Sequence, residues 1–459
     1  MNIGILPRIV ARVQKEYRYF RTADERAAKT RLQRVYLPLM LSIISFPLRI
    51  CLAGLLLTLL TLLKPFVLVR FGRLHCYSMG GFNTPQEIYL CERDAGLHPK
   101  RSFDVFYHYD YPFFNRALVR RVKPKDAACN QQLDIMIKRT FRIFEFSRHL
   151  DDLIRLFPRA SLAFTVEPPK SEDTRGLLDL FPLHFTFTSA EEQKGRAGLM
   201  EMGIEPGSKF ICFHARDGAW LPTSRPRYTS LYGEWNRSVH RNASIENYLL
   251  AADQLTELGY YAIRMGKFVE KPLNSTNPKV LDYATDFQSD LMDLFLSAHC
   301  DFFIGQNSGI IGLPMVFRRP IAFVNIHPLS EICTCTNRPN IFIPKLLYSV
   351  VKGRLLTFRE ILEFGLSDFN PNHPKGKELQ DSLGLELLEN TPEEITEVAM
   401  EMHQRLNGQF ESSKEDDELQ SRFLSIIGSY PDKVRLLFER HPCHRIGTRF
   451  LARHPELVD

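Results

Sequence analysis

The sequence predicts an α/β protein of two Rossmann-like domains behind an N-terminal apolar, membrane-associated segment. Three observations predict it. Residues 35–69 are mostly apolar and follow a basic stretch. From Lys64 onward, short β-like runs alternate with longer amphipathic pieces, the pattern of parallel sheets with helical crossovers. After Gly207 a strand, helix, strand rhythm continues for about 120 residues, as in a doubly wound unit. With 459 residues and 44% apolar content, the chain is long enough for two compact domains and appendages. The expected division is a basic N-terminal region and apolar anchor over 1–69, one Rossmann-like domain over 70–200, a second over 201–375, and a helical tail over 376–459.

In the first of these, Arg8, Arg12, Lys15, Arg18, Arg21, Arg26, Lys29, Arg31, Arg34 and Arg49 face only Glu16, Asp24 and Glu25. The apolar stretch behind them is broken by Pro38, Pro47, Arg49, Lys64 and Pro65. Ile50 to Leu63 and Val35 to Leu48 each supply about 14 residues, fewer than the roughly 20 that cross a hydrocarbon core. Two short helices meeting at Phe46-Pro47 suit a re-entrant or interfacial anchor. A single tilted span from about Tyr36 to Leu63, with Arg49 snorkelling, is the alternative, and a buried core hairpin is a third reading. The basic flank favours the membrane, on its cytoplasmic, anionic side. Full spanning would instead put the body in a lumen or outside, where sequons at Asn236, Asn242 and Asn274 would be available.

Along the body, Pro65–Phe71 reads as a strand running into Gly72-Arg73-Leu74-His75. Gly80-Gly81 and Asn83-Thr84-Pro85 supply turn chemistry and a cap for a helix over Pro85–Arg93. Further strands are expected over Phe103–Tyr107 and Leu162–Val166. The second half opens with a buried strand over Lys209–His214, then a helix over Ala243–Leu258 stopped by Gly259. Strands over Tyr260–Gly266, Asp301–Gly305 and Pro320–Asn325 come next, with a helix over Asp290–Ala298 among them. Thr391-Pro392-Glu393-Glu394 is a capping box that starts a helix ending at Leu406, before Asn407-Gly408.

Charge and cysteine content narrow the function. A net charge of +6 with no long Lys/Arg run in the body argues against nucleic acid. Nine scattered cysteines, an odd number, suit a reducing compartment. Cys333 and Cys335 form a C-x-C without a second pair at zinc spacing. The G-x-G-x-x-G dinucleotide fingerprint is missing.

Two constellations stand at the carboxyl ends of predicted strands, where doubly wound sheets collect ligands. The first is His214-Ala215-Arg216-Asp217, leading into a loop with Arg225, Arg227, Arg237, His240 and Arg241. An Arg fixed there reaches a diphosphate with a planar fork of donors; the bland alternative is an Arg216–Asp217 pair that only shapes a loop. The second is Ile304-Gly305-Gln306-Asn307-Ser308-Gly309, where small residues would let amides at a helix N-terminus approach an anion while Asn307 and Ser308 add donors.

In these motifs, with Arg264-Met265-Gly266, Asp282-Tyr283-Ala284, Asp293 through Ala298 and Asn390 through Met402, the chain resembles bacterial glycosyltransferases of GT-B type. It is distantly similar to O-fucosyltransferase-like and nodulation-type fucosyltransferase enzymes. The resemblance spans about Arg70 to Gly408. It implies an acceptor domain first, then a nucleotide-sugar domain in which Arg216 and the Ser308 turn bind the donor diphosphate. It also implies that Asp282 or Asp286 meets the base or ribose. Arg70-Phe-Gly-Arg73-Leu-His75 with Gly80-Gly81 is the nearest match to a basic glycine loop of these enzymes. By analogy Arg73, His75 or Glu87 would face the donor and orient or deprotonate an acceptor hydroxyl.

The expected activity is glycosyl transfer from a nucleotide sugar to a glycan or lipid-linked acceptor in surface polysaccharide or glycoconjugate synthesis. Catalytic candidates are Arg216, His75 and Glu87. Donor-binding candidates are His214, Arg216, Asp217, Arg264, Asp282, Asp286, Asn307, Ser308 and Gly309. No cofactor is expected beyond the nucleotide sugar as substrate. Without a D-x-D triad the transfer is expected to be metal-independent and inverting. A non-catalytic nucleotide-sugar-binding scaffold of an envelope-assembly complex is the alternative.

Overall fold

The computed structural model describes residues 46–109, 128–167, 169, 173–219, 239–331, 339–371, 374–429 and 445–459. The chain forms two compact units. One comprises residues 1–77, 101–128 and 142–167; the other comprises 78–100, 129–141 and 168–459. Arg225, Arg227, Arg237, Asn236, Cys333 and Cys335 lie outside the described residues, as does the apolar piece before Phe46.

In the first unit one helix covers Phe46–Leu63. Phe46 and Pro47, where a break is expected, both lie in this helix at the edge of the described residues. The unit's sheet has three parallel strands, β1 (Leu68–His75), β2 (Ser102–Tyr109) and β3 (Thr165–Val166), with β1 in the centre. β1 runs through Gly72 to His75 instead of ending at Phe71. The reason is local: a Cβ at position 72 would lie 2.3 Å from the Phe106 ring, so glycine lets that ring cross the strand. Leu162–Val166 is strand only in its last two residues, because Pro158 at a helix N-terminus carries helix through Phe164.

In the second unit a seven-stranded parallel sheet runs β13-β9-β8-β7-β4-β5-β6. Its strands are β4 (Phe210–His214), β5 (Tyr261–Arg264), β6 (Val280–Leu281), β7 (Phe303–Gly305), β8 (Ile321–Ile326), β9 (Ile341–Pro344) and β13 (Arg445–Ile446). Nearly every residue of these strands is buried, as continuous apolar runs covered on both faces must be. A small antiparallel sheet of β10 (Leu346–Ser349), β11 (Arg354–Leu355) and β12 (Leu385–Leu388) sits beside it in the chain.

The helix expected over Ala243–Leu258 opens as a 3-10 turn over Ile245–Tyr248 and becomes α-helical over Leu249–Glu257, stopped by Gly259 at φ 90°. The Thr391–Glu394 capping box starts the Pro392–Leu406 helix, which packs on Leu249–Glu257. Ile395, Val398, Met402, Phe423 and Phe450 belong to the unit's main core, so the C-terminal segment is part of this sheet's packing. Asn390 ties it in: the backbone N–H groups of Asn325 and Asn390 each donate to the other's side-chain oxygen, and Asn390 Nδ2 donates to Pro344 O at 2.9 Å.

Candidate functional site at the switch point of the seven-stranded sheet

β4 is the first strand of its sheet in the chain, and its neighbours diverge: β5 and β6 lie to one side, β7, β8 and β9 to the other. Loops leaving the carboxyl ends of β4 and β7 therefore part, and a crevice opens between them. His214 and Gly305 face each other in register at its mouth.

His214 closes β4. Its Nδ1 lies 2.9 Å from the Met265 carbonyl oxygen, an acceptor, so Nδ1 carries the proton and Nε2 is the lone-pair nitrogen. Burial holds the imidazole down to about 4, with that carbonyl opposing, so it is neutral near pH 7.

The next residues separate into two roles. Asp217 is consumed by the backbone, accepting from Ala219 N at 3.0 Å and Glu270 N at 2.9 Å. It pins the loop after β4 to the loop after β5 and is not placed to touch an anion. Arg216 instead turns to the neighbourhood of Arg241, donating to Asn242 Oδ1. Its pKa is depressed to about 10, first by burial and then by the charge of Arg241, with Asp217 and Glu331 opposing. Positive charge is thus gathered in the loop after β4, which suits an anion.

The loop after β7 supplies uncharged polar atoms. Gln306, fully buried, donates to Arg241 O and accepts from Tyr248 Oη at 3.3 Å. Asn307 Nδ2 donates to His327 O at 2.8 Å and to Glu331 Oε2 at 2.7 Å; both partners are acceptors, which fixes the amide's orientation. Glu331 also pairs with Arg241 at 3.1 Å. Asn307 Oδ1, Ser308 Oγ and His327 Nε2 are buried and find no hydrogen-bond partner among the described residues. Buried polar atoms are rarely left so. His327 is held neutral, its pKa pushed down to about 3 by burial and then by His240 and Lys345.

The expected helix-terminal amides do not form the anion seat. The helix after this turn covers only Gly312–Val316. Gly309 is there for packing: a Cβ on it would lie 2.9 Å from Gly80 N and 3.2 Å from Met79 Cβ.

Four other candidates lie elsewhere. Arg264 is buried and donates to Lys271 O at 2.9 Å and to both Asp282 oxygens at 3.3 Å. Asp282 also accepts from Leu273 N and Thr285 Oγ1, each at 2.7 Å. This pair builds the loop after β5 and has little left for a ribose. Asp286 is exposed at the end of a one-turn helix after β6, at the sheet's edge. Glu87 is fully buried: its Oε1 accepts from Arg318 Nη2 at 2.7 Å and from His184 N at 3.2 Å. As an acceptor-deprotonating base it is excluded by that burial and that ion pair.

Glu87, Cys91 and His184 present ligand atoms within 4.8 Å of one another, the spacing of a metal cluster. Arg318 Nη2, 2.7 Å from Glu87 Oε1 and 3.7 Å from Cys91 Sγ, already supplies the cluster's positive charge. His184 adds more, between Glu87 at 3.2 Å and Asp94 at 3.0 Å. A divalent cation would meet two cations there, so the donor set fits an ion-pair node and not a metal site.

His75 is in the first unit, at the end of β1, its ring edge-on to Tyr109 with centroids 5.2 Å apart. Burial, then the charge of Arg73, lowers its pKa, with Glu167 opposing. Arg73 Nε donates to Tyr107 Oη at 2.8 Å and Asp151 Oδ2 at 3.0 Å, which commits it to this unit's interior.

Asn242, Tyr248, His327 and Glu331 also belong to this neighbourhood, and sequence reasoning missed all four as site residues. The carboxyl end of β8, with His327-Pro328 directly after it, was the available signal, since every strand end in such a sheet faces the crevice side.

No family model matches the sequence, and no curated protein matches it. Among solved structures, the chain is similar to the ADP-heptose LPS heptosyltransferase II of E. coli, at 13% identity and a TM-score of 0.31 over 56% of this chain and 84% of that one. It is similar to the glycosyl transferase family 9 structure from Veillonella parvula at 12% identity and 0.31, covering 56% and 80%. A third, the iron-containing dodecameric glycosyltransferase TibC of enterotoxigenic E. coli, gives 12% and 0.28 over 56% and 57%. Overlap of that size fixes no function, which rests on the residues of the site.

Proposed function

We propose that the chain is a glycosyltransferase that binds the diphosphate of a nucleotide sugar at the switch point between β4 and β7. One observation carries this reading: Glu331 joins Arg241, at 3.1 Å, to Asn307, at 2.7 Å, in the turn whose Ser308 Oγ and Asn307 Oδ1 find no hydrogen-bond partner among the described residues, and Arg241 is close enough to Arg216 for their charges to oppose. An anion bearing several acceptor oxygens and flanked by hydroxyls, as a nucleotide sugar is, would satisfy all of these at once. The sequence resemblance to GT-B enzymes points the same way.

In the proposed reaction an acceptor hydroxyl oxygen attacks the anomeric carbon, the bond from that carbon to the diphosphate oxygen breaks, and the configuration inverts. The charge gathering on the departing diphosphate falls to Arg216 and Arg241. The hydroxyl proton goes to a general base of the chain, a role in which His75→Gln tests His75. The acceptor is a glycan or lipid-linked sugar at the cytoplasmic face of a membrane, and metal takes no part. The test is calorimetric binding and donor hydrolysis by the full chain against a panel of nucleotide sugars, with Arg216→Ala and His75→Gln. Selective binding that Arg216→Ala weakens by at least about tenfold, with turnover lost and binding kept in His75→Gln, supports the reading. Binding without turnover in the unaltered chain replaces it with a donor-binding scaffold, a reading that the burial of Glu87 favours. Binding of no donor overturns both.

A further inference from the structure

Lys345 is a buried cation at the carboxyl end of β9. Its backbone N–H donates to Ile326 O at 3.0 Å, extending the pairing of β9 with β8 by one residue. The residue is only 6% exposed, and lysine is almost never buried to that degree unless something holds its charge. Its Nζ donates to the carbonyl oxygen of Asn242 at 2.5 Å, while Glu389 Oε1 stands off at 3.8 Å, beyond hydrogen-bonding distance. Glu389 Oε2 is engaged elsewhere, accepting from Ser244 N at 2.9 Å and from Asn247 Nδ2 at 3.3 Å. Burial lowers the lysine's pKa, with Glu389 opposing and the charge of Arg216 adding to the fall. Packing alone would be met by an apolar side chain of the same length, without the desolvation cost. The charged end is accounted for by what Nζ holds.

That partner is the segment that grips Arg216. Asn242 Oδ1 accepts from the Arg216 guanidinium, and the backbone N–H of the next residue, Ala243, donates to Arg216 O at 3.0 Å. Residues 242–243 thus hold Arg216 by both its side chain and its backbone. Asn242 N donates to Val239 O at 2.8 Å, which leaves the Asn242 carbonyl oxygen for Lys345. β7 and β8 separate β4 from β9 in the sheet, so no backbone ladder couples Arg216 to Lys345. Asn242 does so instead.

We propose that Lys345 is a positioning residue, which through Asn242 holds the Arg216 guanidinium ready for the diphosphate of the ligand. The role rests on the reading of the crevice as a nucleotide-sugar site, and it adds to that site a residue that touches no ligand. An arginine free to swing must be ordered when the ligand binds, and part of the binding free energy is lost to that ordering. A lysine that met the ligand with its own charge would act whether or not the Asn242 side chain were present, whereas a positioning lysine would not.

The experiment is calorimetric titration of the full chain with uridine, guanosine and adenosine diphosphates, using the wild type, Lys345→Met, Asn242→Ala and the double variant, with melting temperatures recorded without ligand. Lys345→Gln, which keeps a polar end but lacks the charge and the reach, runs through the same cycle, so that a Lys345→Met chain that fails to fold does not end the test. The expected result is a diphosphate that each single variant holds about fivefold more weakly than the wild type does. The double variant should also hold it about fivefold more weakly, because both substitutions cut the same link. Losses that multiply, to about 25-fold in the double variant, would overturn the proposal and give Lys345 a direct charge on the ligand. A lower melting temperature with unchanged affinity in the Lys345 variants would overturn it too, leaving a lysine of the fold alone, with the nucleotide-sugar reading intact. Binding of no diphosphate by the wild type would remove that reading itself, and this role with it.

Discussion

Asn83 Nδ2 donates to the carbonyl oxygen of Gly309 at 3.0 Å, while its Oδ1 accepts from Thr84 Oγ1 at 3.1 Å at the start of the Thr84–Asp94 helix. One buried side chain thus caps a helix and fixes the turn that carries Ser308. Gly312 depends on the same group, since a Cβ there would lie 2.5 Å from the Asn83 amide.

Asn83→Ala is therefore expected to cost about 1–2 kcal/mol of stability and to weaken donor binding through a loosened Ser308. Gly309→Ala sets a Cβ against the Gly80 backbone nitrogen, 2.9 Å away, and is expected to cost about 1–3 kcal/mol. Chemical denaturation and donor calorimetry on the two variants check both, and unchanged donor affinity in both would separate this packing from the site.

Breaking the Glu87–Arg318 pair leaves a buried, uncompensated charge, so Arg318→Ala or Glu87→Gln should lower stability by about 3–5 kcal/mol. A catalytic Glu87 would behave differently, losing turnover with stability intact. Denaturation midpoints beside turnover of the folded fraction distinguish the two outcomes.

His184 has its pKa raised from 6.5 to about 10 by the Cys91 thiol and by Glu87, burial opposing, with Asp94 adding to the rise. The folded state holds this proton more tightly than the unfolded chain. Its contribution is thus complete below pH 6.5 and disappears as pH rises through about 10. The difference in melting temperature between wild type and His184→Gln should shrink over that window. His327, lowered from 6.5 to about 3, acts oppositely: the unfolded chain takes up its proton first, so stability falls as pH drops below 6.5. His327→Gln should flatten that acid limb.

The charges of Arg216 and Arg241 oppose each other, so Arg216→Met should raise the melting temperature slightly while weakening binding of a nucleoside diphosphate. The ligand's stabilising shift, present in the wild type by mass action, should fall with added salt and be nearly absent in the variant. A shift of equal size in both proteins would remove Arg216 from the site.

The elements of the second unit were legible because buried parallel strands announce themselves as short apolar runs, as Phe210–His214 and Ile321–Ile326 do, and because caps such as Thr391–Glu394 are local chemistry. Arg216 and Ser308 could be picked out from their places after strands. The features that stayed hidden depended on contacts distant in sequence. Asp217 looked like a ligand until Glu270 N, 53 residues on, took its carboxylate. Glu87 looked like a base until Arg318, 231 residues on, buried it.

The chain changes unit after Tyr77, Lys100, Ala128, Phe141 and Glu167, and this has a consequence for synthesis on the ribosome. The first unit is complete once residue 167 has emerged. Two early segments of the second, bearing Ile88, Cys91, Leu133 and Met136, must then wait with their apolar faces unmatched until β4 and the later strands of its sheet are translated. That interval is when a chaperone would find this protein, and any fragment cut near residue 200 would make the wait permanent.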